Sequence, residues 1–377
     1  MRDITLLERG QLGVGVRGAT HSLRSGSAVV DAPSLATRIK MIVTLFACSV
    51  DAFVAHHSEH GARLYLRAAA RGVALECALA RDVGADCVAL GSLYVASGES
   101  AAALEAECAA LQRLGAECAL LDADATQQLT GAERGAFVRA IRFPHDAVID
   151  SSAFCRLLLE RGAPGVRVVE HCSPVLDVVT TPDGRALATL ADGSHVRADR
   201  AVVATGGLFV PPALAGMLTP CYSYLTAIPM AAPAPPPDSP NFFTWGFTHD
   251  WCFTRGALRC SGADHFSALK APRDAERCGA LADWCEERYP RQCRREEMQT
   301  QYGVYSETPD KVPLVGSLWQ GSAVHYIVGC NAWGQAILSA AAASMPAIMG
   351  LADWAGSEQR EEFEQLLSIR RFTNQQR

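Results

Sequence analysis

The 377-residue sequence predicts an α/β fold, a doubly wound and mostly parallel sheet accompanied by a second, β-rich lobe. Three observations carry this. Two short apolar runs, Ile4 to Glu8 (ITLLE) and Ala201 to Ala204 (AVVA), read as buried strands closed by glycine-bearing turns. Segments with helical spacing of apolar residues follow such strands along the chain. Finally, a meander over 175–198 and a block over 242–262 have the short runs and turn signals of antiparallel strands.

In order, Ile4 to Glu8 is a strand, and Gly10, Gly13, Gly15 and Gly18 make the following stretch irregular. Ser34 stands before an apolar periodic run reaching Phe53, which predicts a helix starting there, and a second helix is expected over 63–79. Residues 86–96 (DCVALGSLYVA) read as a strand pair and 100–114 as an amphipathic helix. A helix over 151–162 and a strand over 166–170 precede the meander, whose turns fall at Asp183-Gly184 and Asp192-Gly193. The proline-rich stretch 231–240 (AAPAPPPDSP) can be neither helix nor central strand and is expected to be an exposed loop. A helix over 274–289, a strand over 325–328, a turn and a long helix complete the chain.

Composition narrows the function. At 377 residues and 49% hydrophobic the chain can bury one large core or two moderate ones, its length suggests two or three lobes, and a formal net charge of -6 without clustered Lys and Arg argues against a nucleic-acid partner. The longest apolar stretches, near 41–50 and 340–349, fall short of the roughly 20 residues of a spanning helix, so no transmembrane segment is expected. The 14 cysteines form no CxxC pair and no Cys/His zinc spacing. They read as buried apolar thiols in a reducing compartment, with Cys278 and Cys285 on one helix face and no metal expected.

A strand that ends in an acid suits a dinucleotide fold, in which the carboxylate accepts hydrogen bonds from a ribose; Glu8, followed by Arg9, is placed for this. The glycine-rich turn of such a fold lies about 20 residues before the acid, which here falls before Met1. Thr205-Gly206-Gly207 lets backbone approach a ligand where a Cβ would collide. Gly329, Asn331 and Gly334 stand between a strand and a helix whose free N–H groups would face an electron-rich ligand.

Taken in order, ITLLERGQLGVGVRG, GSLYV at Gly91, FPHDAVIDSSAF at Phe143, VVATGG at Val202, GVYSETPDKVPLVG at Gly303 and YIVGCNAWGQAILSAAA at Tyr326 resemble the FAD-dependent amine and amino-acid oxidoreductases. That group includes D-amino-acid, glycine and sarcosine oxidases. The resemblance implies an FAD-binding, Rossmann-like domain missing its first strand (1–85, 140–215 and 300–377) and an α+β substrate domain on an antiparallel sheet (86–139 and 216–299). It implies FAD contacts at Glu8, Arg9, Val175 (to adenine, through backbone), Thr205, Gly206, Gly329, Asn331 and Gly334. Arg24, Arg259 and His249 become candidate catalytic residues, the arginines for a substrate carboxylate, with Tyr222 and Tyr224 lining the same pocket. Gly303, Val304 and Tyr305 stand where some relatives carry a flavin-linking cysteine, so the FAD is expected to be non-covalent.

Three expectations follow. In a longer functional chain the protein is an oxidoreductase acting on a small amine or amino acid. With the start as given, it is a degenerate, non-catalytic subunit of a larger assembly; the resemblance extends to the oxidoreductase-like assembly factor of mitochondrial complex I and implies a mitochondrial location, with the cytoplasm as the alternative. In the third, another polypeptide supplies the missing strand.

Overall fold

The computed structural model describes residues 4–7, 40–163, 165–207, 210–231, 239–254, 256–266, 274–290 and 293–372. The chain opens with β1 (Ile4–Leu7) and β2 (Lys40–Ile42), then a long helix α1 (Val50–Val83) that bends at Ser58. Strands β3 (Cys87–Val88) and β4 (Ser92–Ala96), helix α2 (Ala101–Arg113), strand β5 (Ala119–Leu121) and helix α3 (Ala123–Thr130) follow. Next come β6 (Arg139–Phe143), β7 (Ala147–Ile149), α4 (Ser151–Leu157) and β8 (Val166–Val169). The meander is β9 (Val175–Thr180), β10 (Ala186–Leu190) and β11 (His195–Ala198), after which β12 (Ala201–Val203) begins. The β-rich lobe contributes β13 (Thr219–Pro229), β14 (Asn241–Thr244), β15 (His249–Thr254), β16 (Ala257–Phe266), α5 (Asp274–Arg288) and β17 (Gln299–Glu307). The chain closes with β18 (Leu314–Gly316), β19 (Val324–Val328), α6 (Gln335–Ile348) and α7 (Ser357–Glu362).

The predicted α/β class is found. The strands β1 and β8 pair in parallel, as do β12 and β19, the latter pair joined by antiparallel β18. The larger sheet has eight strands among the described residues, ordered β17-β13-β16-β15-β14-β4-β6-β5, antiparallel except where β14 meets β4. Its outer face is covered by α5: Leu258, Cys260, Trp251 and Phe253 pack there with Cys278, Leu281 and Cys285. The expected placement of Cys278 and Cys285 on one buried helix face is therefore observed.

The start of the first helix differs from the sequence reading, and the helix expected over 63–79 is part of the same α1. Among the described residues no helix starts before Val50: Lys40–Ile42 is a strand, antiparallel to Ala147–Ile149, while Ser34 lies outside the described residues. The apolar run 41–46 has no resolved period in so short a length, and the helix begins only where Ser49 caps it, Ala52 N donating to Ser49 Oγ at 3.4 Å. Glu107 from α2 reinforces that end, accepting from Val50 N at 2.9 Å. Gly84, at φ 73°, then closes α1 in the left-handed conformation.

Helices α1 and α6 cross in close contact, and the contact depends on Gly72. A Cβ there would stand 1.8 Å from the carbonyl oxygen of Ala336, so only glycine lets α6 seat its first turn against α1. This seating fixes where the N-terminus of α6 points.

Candidate functional site

A cavity of about 1360 Å³ lies between the inner face of the large sheet and the α/β part of the molecule. It is larger than the roughly 300–1,000 Å³ of ordinary small-molecule pockets, enough for an extended cofactor together with a small second ligand. Strand alternation decides what the sheet shows it. On β16 the apolar Leu258 and Cys260 turn to α5, so Arg259 and Ser261 turn to the cavity; on β15 Trp251 turns outward and Asp250 inward.

A bulge then reverses the phase. Tyr222 pairs with His265 and Tyr224 with Gly262, so Ser223 alone stands opposite Ala263 and Asp264. Ala263 takes φ 52°, and Gly262 must be glycine because a Cβ would fall 2.2 Å from the Thr248 carbonyl oxygen. Beyond the bulge the even-numbered Asp264 and Phe266 face the cavity.

The charged groups on this wall are unequal. Asp264 opens onto the cavity yet is closely surrounded by protein, and this burial raises its pKa, with Asp250 and Glu307 adding in the same sense against the hydrogen bonds it receives from Ser223 and Tyr305. The Tyr305 hydroxyl donates to Asp264 Oδ2 at 2.7 Å, and burial beside that carboxylate holds the phenol firmly protonated. Asp250 accepts from Ser261 Oγ at 2.5 Å. Arg259, 6% exposed, brings a guanidinium to the same wall. His249 borders the cavity, but it has the parity of Trp251: its imidazole stacks on Trp284 of α5 at 4.5 Å, and burial, helped by Arg288, lowers its pKa to about 4. Its imidazole is neutral at neutral pH and belongs to the packing between β15 and α5. Tyr94, Trp245, Phe247 and Trp333 form an aromatic flank, with Tyr94 and Phe247 stacked at 4.8 Å.

The facing wall is made by the turn between β19 and α6. Gly329, Asn331 and Ala332 take φ values of 78°, 49° and 65°, so successive residues sit in the left-handed region that costs a side-chain-bearing residue roughly 1–2 kcal/mol. Asn331 holds the turn in place: its Oδ1 accepts from Thr308 N at 2.8 Å and its Nδ2 donates to the Gly329 carbonyl at 2.9 Å. The N-terminus of α6 has no side-chain cap, and Gly334 and Gln335 present it to the cavity. Such an end offers unpaired N–H groups and a positive dipole to an electron-rich ligand. Gly206, at φ 62°, adds an open approach from the end of β12, with nothing within 4 Å of the place a Cβ would take.

The structure brings Arg259, Gly206, Gly329, Asn331 and Gly334 to one cavity; His249 and Tyr224 border it, but the His249 ring stacks on Trp284 of α5 and Tyr224 packs in the core on that side. Val175, at the start of β9, and Thr205 are not on its wall. Glu8, Arg9 and Arg24 lie outside the described residues, as does most of the proline-rich stretch. The sequence reading missed Asp250, Asp264, Trp245, Phe247, Trp333 and Glu76. Asp264 carried one readable signal, its place two residues after a glycine within a strand, where bulges occur.

A cavity roofed by a mixed, mostly antiparallel sheet, and floored by parallel strands with a helix N-terminus aimed into it, is the architecture of an α/β protein with room for a large cofactor. The family model for FAD dependent oxidoreductases matches residues 1–345, and the chain belongs to that family. Its structure is similar to glycine oxidase from Geobacillus kaustophilus, with a TM-score of 0.72 at 15% identity over 94% of this chain and 89% of that one. It is also similar to iminodiacetate oxidase from Chelativorans sp. BNC1 (TM-score 0.64, 17% identity, 95% and 98% covered) and to L-proline dehydrogenase from P. horikoshii (0.63, 14%, 83% and 84%). At these identities the likeness is one of fold. No curated protein matches the sequence.

The residues present fit the FAD that the family implies. The uncapped helix end, the left-handed turn beside it and the open approach at Gly206 form a cradle for a planar, electron-rich group. Among the described residues there is no group of His, Cys, Asp and Glu able to hold a metal, and no helix is long and apolar enough to cross a membrane.

Proposed function

We propose that the protein holds FAD non-covalently and oxidises a small amine or amino acid by hydride transfer. The observation that carries this reading is the cavity itself. Its floor is an uncapped helix N-terminus, and its roof brings carboxylates and a guanidinium to one wall beside four aromatic rings. FAD, when bound, supplies the two-electron acceptor; the protein supplies binding and orientation. Gly329, Asn331, Gly334 and Gly206 would hold the cofactor. Arg259 would take a substrate carboxylate, and Asp264, kept in position by Tyr305 and Ser223, would take the ammonium group. The aromatic flank excludes water from the reacting carbon.

The test is the visible spectrum of the purified protein, followed by anaerobic addition of amines and amino acids. Flavin absorption with about one FAD per chain, bleached by an amine or amino acid, is the expected result; a colourless protein overturns the reading.

A second reading, a non-catalytic subunit of a larger assembly beside mitochondrial complex I, draws on a different observation. Ile4 and Leu6 of β1 and Val202 of β12 are exposed, at 56%, 37% and 44%. Among the described residues β1 pairs only with β8 and β12 only with β19, so apolar sheet surface is open to a partner. A colourless protein that elutes with a large assembly supports it, and stoichiometric flavin in a lone chain sinks it.

A further inference from the structure

Three pairs of cysteines have their thiols in mutual contact. The pairs Cys108/Cys118 and Cys260/Cys285 hydrogen-bond to one another, yet Cys108, Cys260 and Cys285 are buried, at 2%, 0% and 0% exposure. The third pair is different. Cys77, near the C-terminal end of α1, and Cys87, the first residue of β3, are both half-buried, and their sulfurs are 3.2 Å apart. Both members of this pair are partly accessible, whereas each of the other two pairs has at least one buried member.

We propose that Cys77 and Cys87 are an oxidation site at which a peroxide closes an intrachain disulfide between α1 and β3. The geometry carries this, since forming a bond of about 2.05 Å requires the sulfurs to move together by only about 1.1 Å. The segment between them contains the left-handed cap Gly84, a joint at which a loop spanning ten residues of separation can adjust.

The two thiols are not equivalent. The hydrogen bond from Cys87 lowers the pKa of Cys77, with Arg81 helping against burial and Glu76, whereas the same contact and burial raise that of Cys87. Cys77 is thus the attacking thiolate. It takes one oxygen of the peroxide, the O–O bond breaks, and a sulfenic acid and hydroxide result. Cys87 then displaces hydroxide from that sulfur and the S–S bond forms. The pair loses two electrons and two protons, and hydrogen peroxide is reduced to two waters.

The place gives the bond a consequence. Glu76, adjacent to Cys77, lines the cavity and accepts from Gln335 Nε2 at 3.1 Å. β3 pairs with β7, which leads directly into the cavity-lining Ser151. A disulfide would tie the turn of α1 that carries the cavity-lining Glu76 to β3 and, through it, to β7.

The test is a peptide map of the full chain after mild hydrogen peroxide, needing neither flavin nor substrate, so that its outcome is separate from that of the proposed function. Trypsin cuts after Arg71, Arg81 and Arg113, leaving Cys77 in 72–81 and Cys87 with Cys108 in 82–113. The expected result is the loss of two titratable thiols and a joined 72–81/82–113 pair, lighter by two hydrogens and separated by dithiothreitol, with fragmentation placing the link at Cys87. The link persists in Cys108→Ser and disappears in Cys87→Ser, in which Cys77 becomes reactive to dimedone. Separate sulfinic acids, a link through Cys108, or no reaction at a peroxide dose that modifies the exposed Cys155 would each overturn the proposal. The wild-type map alone decides if a variant does not fold.

Discussion

Replacing Gly72 by alanine tests whether the contact between α1 and α6 positions the cofactor-facing helix end. Two effects oppose one another. In an ordinary helix interior the change stabilises by about 1 kcal/mol, because alanine has less backbone entropy to lose. At this position the new methyl would lie 1.8 Å from the Ala336 carbonyl oxygen, 2.6 Å from its carbonyl carbon and 3.2 Å from its Cα, all backbone atoms that no rotamer change can move. The helices must part by more than about 1 Å, and such overpacking costs about 1–3 kcal/mol or more. The clash wins, and the net expectation is a loss of about 1–2 kcal/mol. Gly279 in α5 is the control, because its Cβ would meet only Arg295 Nη2, at 3.7 Å, and alanine there should gain about 0.5–1 kcal/mol. Urea denaturation midpoints read both signs, and FAD titration of each variant reads the displacement of the α6 N-terminus, expected as a roughly tenfold loss for every 1.4 kcal/mol of weakened binding. If Gly72→Ala raised the midpoint as Gly279→Ala does, the close approach would not be what seats α6.

Three further outcomes are expected. Asp146 accepts from Thr44 N at 3.1 Å, from Thr44 Oγ1 at 2.6 Å and from Ser92 Oγ, and its burial raises its pKa to about 6. Since the folded value exceeds the unfolded 3.8, the folded state holds a proton the unfolded state has released, and stability falls by about 3 kcal/mol as pH rises from about 4 to 6. Asp146→Asn should flatten that slope, and an unchanged slope in a denaturation series across this range would refute the assignment. Tyr289→Phe removes the acceptor of Trp251 Nε1 (2.7 Å) and a donor to the Thr130 carbonyl (3.2 Å), which should cost about 1–3 kcal/mol in the same assay while leaving flavin content unchanged. Gly206→Val places a branched residue at φ 62° on the cavity wall, so flavin retained per chain after gel filtration should drop to near zero; stoichiometric retention would remove Gly206 from the binding site.

Much of the fold was legible because its elements announce themselves locally. The strand 325–328, the glycine-punctuated turn and the helix after it were readable from YIVGCNAWGQ, since glycine and asparagine tolerate the left-handed backbone that β19 and α6 require between them. The meander was readable because Asp183-Gly184 and Asp192-Gly193 supply the positive φ of tight hairpins, 77° and 83° at the two glycines. The stretch before Val50 was not. Met41 to Phe46 is apolar but for Thr44 and too short to show a period, and only its pairing with Val148 makes part of it a strand. Such pairing is a tertiary fact, written a hundred residues away.

The site divides along the same line. Arg259 was readable as a polar residue alternating with Leu258 and Cys260, and the cysteines of α5 explain which face is covered. Asp264 obeys the opposite parity, and plain alternation from Arg259 would turn it toward α5. It reaches the cavity only because the bulge opposite Ser223 inserts one residue, and that bulge depends on Gly262 passing within a Cβ's reach of the Thr248 carbonyl. A single glycine thus sets the charge of the cavity wall. Had the strand continued in register, His265 in place of Asp264 would have faced inward beside Arg259 and Ser261, and the wall would have lost the carboxylate that Tyr305 holds in place.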